Sequence, residues 1–326
     1  MGVASVFRSI GRRVSVVLFG LLIVGLAGTL LPPYEWDVLM ATSGTDSMPP
    51  APKEITRLSC GPHTVLLDQR QTTPVGGKGD PTRLRVFRPD REVWRLNQEA
   101  IMEVACRSLT GDGVPGLIIT TYSFGAHCCT EIYVLSLGPE PRLLLHFFEG
   151  NGGGYEVRDL KGDGSLQLIM NDDSFSYFGG LSYASSPARL PLVACYRNGL
   201  FTDCTREFPE VVRDSIESYR ADLQATELRR RDGEIEASPG WPTDFSIAGS
   251  VLGIYADSVL LGQDGEGWAA ARSSIESERV WKWFECNRPT VQRWARQRGE
   301  ILGSSRPTPP IWQTPGCEQW EPGRNP

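Results

Sequence analysis

With 326 residues, 40% of them hydrophobic and 22% charged, the chain is long enough for one substantial core or two modest ones and too apolar for a disordered polymer. Its 39 acidic and 33 basic residues leave a net charge of -6, which excludes a nucleic-acid binder, because phosphate contacts need a clustered basic surface. Three histidines leave little for metal or general-base chemistry, while 35 glycines and 24 prolines favour a structure with many turns.

Arg8, Arg12 and Arg13 precede an uncharged run from Val14 to Leu31 that Pro32 and Pro33 end, and the next charges, Glu35 and Asp37, are acidic. That asymmetry predicts an N-terminus in the cytoplasm and a translocated body. Residues 1–31 therefore read as a cytoplasmic tip followed by a membrane anchor, with residues 14–31 as the membrane partner. The alternative is a secretory signal cleaved near Gly25-Leu26-Ala27, which would release the body. Residues 32–53, rich in Pro, Ser, Thr and Gly without a sustained period, read as a linker.

From residue 54 to 208, short apolar runs (TVLLD, RLRVF, GLIITT, EIYVLSL, RLLLHFF, LQLIM, PLVACY) alternate with turn clusters such as GDG, GPEP and NGGG, which predicts an antiparallel β domain. Asn198-Gly199 predicts a two-residue hairpin turn. After Phe208 the period changes: Val212, Ile216, Tyr219 and Leu223 fall on one helical face, and Pro209 suits a first helical position. Further helices are expected over 246–261, 266–275, 277–284 and 290–302, with Pro289 between the last two, so that 209–303 is a helical region and 304–326 a proline-rich tail. The fold class is α+β.

Eight cysteines, Cys60, Cys106, Cys128, Cys129, Cys195, Cys204, Cys286 and Cys317, lie in the translocated body, where an even count reads as disulfides. Cys195 and Cys204 flank a short hairpin, and Cys286 is placed to tie down Cys317 in the tail; the full connectivity stays open.

One unit occurs twice, a constant 51 residues apart: Arg107-Ser-Leu-Thr-Gly-Asp-Gly-Val-Pro-Gly-Leu-Ile-Ile and Arg158-Asp-Leu-Lys-Gly-Asp-Gly-Ser-Leu-Gln-Leu-Ile-Met. Both predict strand, Gly-Asp-Gly turn, strand. The pattern resembles the Asp-x-Asn-Gly-Asp-Gly-x-x-Asp-Leu motif of FG-GAP or VCBS-type repeats over residues 104–208. That resemblance implies blades of an integrin-like β-propeller with calcium held in the turn. Asp159 and Asp163 are the calcium candidates it points to, although Lys161 puts a cation where a ligand belongs, and the first copy keeps only Asp112.

Two stretches gather reactive or ligand-binding side chains. Gly125-Ala-His-Cys-Cys-Thr130 sets His127 beside Cys128 and Cys129, which suggests either a thiol nucleophile or, in an oxidising compartment, disulfides. Asn171 to Gly180 mixes carboxylates with aromatics, and Asp172, Asp173, Phe175 and Tyr177 form a candidate surface for a glycan or a peptide, or else the packed face of a strand. The sequence carries no nucleophile-elbow, zincin or phosphate-loop motif. It favours a non-catalytic, membrane-anchored binding or assembly module of the cell envelope with no cofactor, calcium in the turns being the alternative. The alternatives are an exported hydrolase using the Asp172/Asp173 loop or the His127–Cys129 region, and a calcium-stabilised adhesion module.

Overall fold

The fold is a computed structural model that describes residues 38–40, 54–69, 82–98, 100–123, 129–151, 153–187, 189–235, 243–300, 302 and 313–322. Residues Trp36–Pro326 form one compact unit. The expected membrane segment, residues 14–31, lies outside the described residues. Among the described residues, no helix is long and apolar enough to cross a membrane.

The body is mixed α+β, with antiparallel sheets followed by helices. Its first sheet is a four-stranded meander of β2 (Glu54–Cys60), β3 (His63–Gln69), β4 (Thr82–Arg88) and β5 (Arg91–Gln98). The second runs β6 (Ala100–Arg107), β7 (Gly116–Tyr122), β8 (Thr130–Ser136) and β9 (Arg142–Gly150). A short strand, β1 (Val38–Met40), adds to its edge beside β6; these three residues fall in the stretch that reads as a linker. The third sheet is β10 (Glu156–Arg158), β11 (Gln167–Asp172), β12 (Leu190–Arg197) and β13 (Leu200–Asp203).

The two repeat copies become equivalent hairpins. Arg107 pairs with Gly116 across β6 and β7, and Arg158 pairs with Gln167 across β10 and β11, so the register is the same in both. Gly111, Gly113, Gly162 and Gly164 all have φ between 69° and 84°, the left-handed region that the Gly-Asp-Gly reversal needs and that a Cβ disfavours. At the β12–β13 turn Asn198 and Gly199 also have positive φ, as a type I′ hairpin requires.

Strand alternation packs the sheets face to face. Val104, Leu117, Ile119, Tyr133 and Leu135 meet Leu58, Val65, Leu67, Leu84 and Val86 of the first sheet. On the other face, Ile118, Ile132, Val134 and Phe147 meet Leu168, Met170, Leu192 and Ala194 of the third. Burial on both faces explains why the strands of the middle sheet read as near-continuous apolar runs. The three meanders do not close a ring among the described residues. Instead the third sheet is followed by α1 (Pro209–Arg231), α2 (Ala248–Leu260), α3 (Asp264–Ser274) and α4 (Glu278–Gln297).

The two helices expected on either side of Pro289 are one. Pro289 lies inside α4 and removes a backbone donor, a cost that isolated propensity puts at roughly 3 kcal/mol. The stripe Val280, Phe284, Asn287, Val291 and Trp294 is buried along the whole length, and Asn287 Nδ2 donates to the Trp283 carbonyl at 3.0 Å. Continuous packing of this face outweighs the lost bond. Trp281, Trp283 and Trp294 join the helical core with Phe175 and Phe178, and Trp320 packs against it.

Disulfides link Cys60 to Cys106, Cys195 to Cys204 and Cys286 to Cys317. The first joins the ends of β2 and β6, and the third joins α4 to the tail. Closing loops with separations of 46 and 31 residues restricts the unfolded chain by about 4 kcal/mol each in the chain-entropy account.

Candidate functional site

The stretch from Asn171 to Gly180 leaves β11 and crosses to the helices, and its side chains divide between core and surface. Asp172 is 2% exposed. Its Oδ1 accepts the Ser174 amide at 2.8 Å and the Ser174 hydroxyl, while Oδ2 accepts Arg298 Nη1 at 2.8 Å and Trp294 Nε1 at 3.0 Å. Arg298, 3% exposed, also donates to the Pro191 carbonyl and sets Nε 3.3 Å from Asp203 Oδ2. Its guanidinium lies over the Trp294 ring, 4.9 Å from the centroid. This buried joint holds the end of α4 to the third sheet, and no oxygen of Asp172 is left for a ligand. Phe175 is likewise buried, edge-on to Trp294 and Phe178. The expected ligand role of Asp172 and Phe175 is therefore corrected: both are structural.

Asp173 turns the other way, as neighbours on an extended chain do. Its Oδ2 accepts Asn151 N at 3.0 Å and Asn151 Nδ2 at 2.7 Å, and its Oδ1 is buried and, among the described residues, accepts no hydrogen bond of standard geometry, with the Ser176 hydroxyl beside the carboxyl. Beside it lies Glu149, a fully buried carboxyl that sequence reasoning missed. Glu149 accepts Gly154 N at 2.9 Å and Asn171 N at 3.1 Å, so it ties the glycine-rich loop after β9 to β11. Burial pushes its pKa up to about 7; the donated hydrogen bonds offset part of the rise and the nearby Asp173 charge adds to it. Burial raises Asp173 as well, against the bonds from Asn151 and Ser176. The only signal available in the sequence was an acid inside the apolar run RLLLHFFEG. With Asp172 in the Arg298 joint and Asp173 on Asn151, the two carboxyls do not share a cleft, which removes the paired-acid geometry that glycoside hydrolysis needs.

The calcium candidates bond within their own turn. Asp159 accepts the amides of Gly162 at 2.7 Å and Gly164 at 2.8 Å, and Asp163 accepts the Ser165 amide at 2.9 Å and its hydroxyl. In the first copy Asp112 accepts Thr110 Oγ1 at 2.5 Å and Val114 N at 2.9 Å. Among the described residues, no group of three or more His, Cys, Asp or Glu is arranged to hold a metal ion. His127 and Cys128 lie outside the described residues; Cys129 is disulfide-bonded, so it offers no thiol.

Tyr177 is the exposed member of the set, at 52%, and it stands at φ 58° in the left-handed region. Its amide donates to Ser186 Oγ at 2.9 Å, and its ring centroid is 6.3 Å from that of Tyr183. Tyr183 and Ser186 line a cleft of about 400 Å³ that no local sequence pattern announced. One wall is the face Tyr219, Asp222, Thr226 and Arg229 of α1, and the other is formed by Ser246, in the short turn Thr243–Ile247, with Gly249 and Ser250 at the start of α2. Arg189, just before β12, pairs with Asp222 across the cleft, and its amide donates to the Tyr219 hydroxyl at 2.9 Å. Arg229 pairs with Glu234 at 3.5 Å.

Close helix packing shapes this floor. A Cβ on Gly249 would lie 1.8 Å from the Ser185 carbonyl oxygen, and one on Gly253 would lie 2.6 Å from the Tyr219 ring. One helical turn further along the same face, Asp257 is completely buried; neither oxygen accepts a hydrogen bond of standard geometry, and Ser215 is the hydroxyl beside it. Burial pushes its pKa up to about 8, against smaller opposing effects of Ser215 and Arg298.

No family model matches the chain, and no solved structure matches it. It is similar to a probable thylakoid lumen protein of Synechocystis, with 28% identity over 176 residues that make up 53% of this chain and 47% of that protein. It is also similar to an uncharacterized protein of Sinorhizobium fredii, with 26% identity over 181 residues, 54% of this chain and 25% of that protein. The chain thus spans about half the length of the first relative and a quarter of the second.

Proposed function

We propose that the chain is an extracytoplasmic module, held to a membrane through residues 14–31, that binds a protein or glycan ligand without transforming it. The observation that carries the compartment is the cysteine pattern: none of the described cysteines is free, and Cys60, Cys195, Cys204 and Cys317 are buried in the bridges that staple sheet to sheet, strand to strand and helix to tail. Bridges of this kind persist in oxidising compartments and are reduced in a cytosol. The lumenal description of the cyanobacterial relative, and the basic-then-apolar N-terminal segment, favour the same side of a membrane.

A binding role is favoured over catalysis because the strongest acid candidates are committed to the fold. Asp172 is saturated by Arg298 and Trp294, Glu149 holds backbone amides, and Cys129 is in a bridge. What faces solvent is a polar cleft with a tyrosine edge.

The test is a thiol count on the natively exported full-length protein, alkylated under denaturing conditions without reductant and mapped by peptide mass spectrometry. No modified cysteine is expected. A free Cys128 or Cys129 alone would restore the thiol-enzyme reading, and free thiols throughout would place the body in a reducing compartment.

A further inference from the structure

The cleft bounded by Tyr183, Arg189 and α1 combines features that point to one ligand class. Its two arginines each face a carboxylate, Arg189 with Asp222 and Arg229 with Glu234, so it offers no net positive charge to a phosphate or an acidic chain. The Arg189–Asp222 pair is about half exposed on each side, which leaves guanidinium donors and carboxylate acceptors next to one another. A vicinal diol is the group that uses an adjacent donor and acceptor at once. Ser250 and Thr226 add hydroxyls that donate or accept.

At the edge, Tyr177 and Tyr183 present two rings with an interplanar angle of 37°, that of Tyr177 about half in water. An exposed ring of this sort stacks on the C–H face of a saccharide while its hydroxyl stays hydrated. The Tyr177 backbone strengthens the case. A tyrosine in the left-handed region is strained where glycine is not, and half of its surface is exposed, so core packing does not repay that strain. Its ring stands next to that of Tyr183, which lines the cleft, with 6.3 Å between the centroids. The volume, about 400 Å³, sits at the small end of ligand pockets, which run from about 300 to 1,000 Å³.

We infer that the cleft beneath Tyr177 and Tyr183 binds an uncharged oligosaccharide, its sugar hydroxyls paired with Arg189 and Asp222 and one ring stacked on the tyrosines. This rests on the reading of the chain as a binding module and names the ligand class of that site.

The experiment titrates the full-length chain, Tyr177→Gly and Asp222→Asn with neutral oligosaccharide series (gluco-, xylo-, manno- and N-acetylglucosamine-based) and with a uronic-acid series, by calorimetry. Saturable binding to at least one neutral series is expected, weakened about ten-fold or more in both variants. Melting curves keep the result interpretable, because Tyr177→Gly is expected to melt no lower than the parent. Binding confined to the uronic-acid series, or no saturable binding to any series, overturns the assignment. Photo-crosslinking from position 177 in the native envelope then separates the two levels. A specific adduct leaves the binding module standing with another ligand, and no adduct removes the binding reading too.

Discussion

Asp172 and Tyr177 belong to one short stretch, yet the fold gives them opposite surroundings. Asp172 is enclosed, and its two oxygens receive four hydrogen bonds from Ser174, Trp294 and Arg298. Tyr177 is half in solvent, at a backbone angle that costs energy. The difference teaches that a mixture of carboxylates and aromatics is not itself a site. Saturation of hydrogen-bonding capacity marks the residue that serves the fold. Exposure combined with strain marks the residue whose position the fold does not need.

The largest expected effect tests the enclosed side. Asp172→Ala leaves the buried Arg298 with Asp203, at the longer distance, as its one carboxylate among the described residues, and removing one member of such a pair costs about 3–5 kcal/mol. Urea unfolding should register that loss. Combining Asp172→Ala with Arg298→Met should cost less than the two single losses added together, since neither member of the Asp172–Arg298 pair is then left buried without the other, while Asp203 keeps its bonds from Thr205. An additive result would mean that the joint is not coupled.

Next in size is Gly249→Ala, which sharpens the comparison on the cleft side. Its Cβ would be 1.8 Å from the Ser185 carbonyl oxygen, so α2 and the cleft floor must part, for a loss of about 1–3 kcal/mol. Ser250→Ala, the neighbouring position on the cleft wall, should stay within about 0.5 kcal/mol in the same thermal melts.

A smaller effect comes from the buried carboxyls that lack full compensation. Asp257 and Glu149 have folded pKa values of about 8 and 7, above their ordinary values, so the folded chain holds protons that the unfolded chain releases. Their contribution to stability is complete below about pH 4 and is lost as pH rises through 7 to 8, so stability from these groups should fall over that window. Asp257→Asn should flatten the upper part of the profile and stabilise the protein near pH 8 by about 1–2 kcal/mol. A profile as steep as that of the parent would show that Asp257 is not the group responsible.

Much of the scaffold was legible because it depends on local patterns. Runs such as GLIITT and PLVACY are strands buried on both faces, the 51-residue self-match becomes two hairpins of identical register, and Asn198-Gly199 makes the turn expected of it. The strands β2 and β5, EITRLSC and REVWRLNQ, interleave their apolar residues with charged and polar ones and did not stand out as runs. Pro289 misled because propensity is local, whereas the stripe that holds α4 together is tertiary. The candidate site was less legible for the same reason. Arg298 meets Asp172 from 126 residues away, and the cleft gathers Tyr183, Arg189, Asp222 and Ser250 from separate elements. Tyr177 could be nominated from composition, but its separation from Asp172 and Phe175 needed the backbone path.

The most direct test of that separation is the melting temperature of Tyr177→Gly beside the parent. Glycine adopts the left-handed angle freely and the ring is half exposed, so the variant should melt at the same temperature or slightly higher, with a gain of up to about 1 kcal/mol. A fall of several degrees would contradict the account, because it would make Tyr177 a packing residue like Asp172 and Phe175 rather than a side chain held out for a ligand.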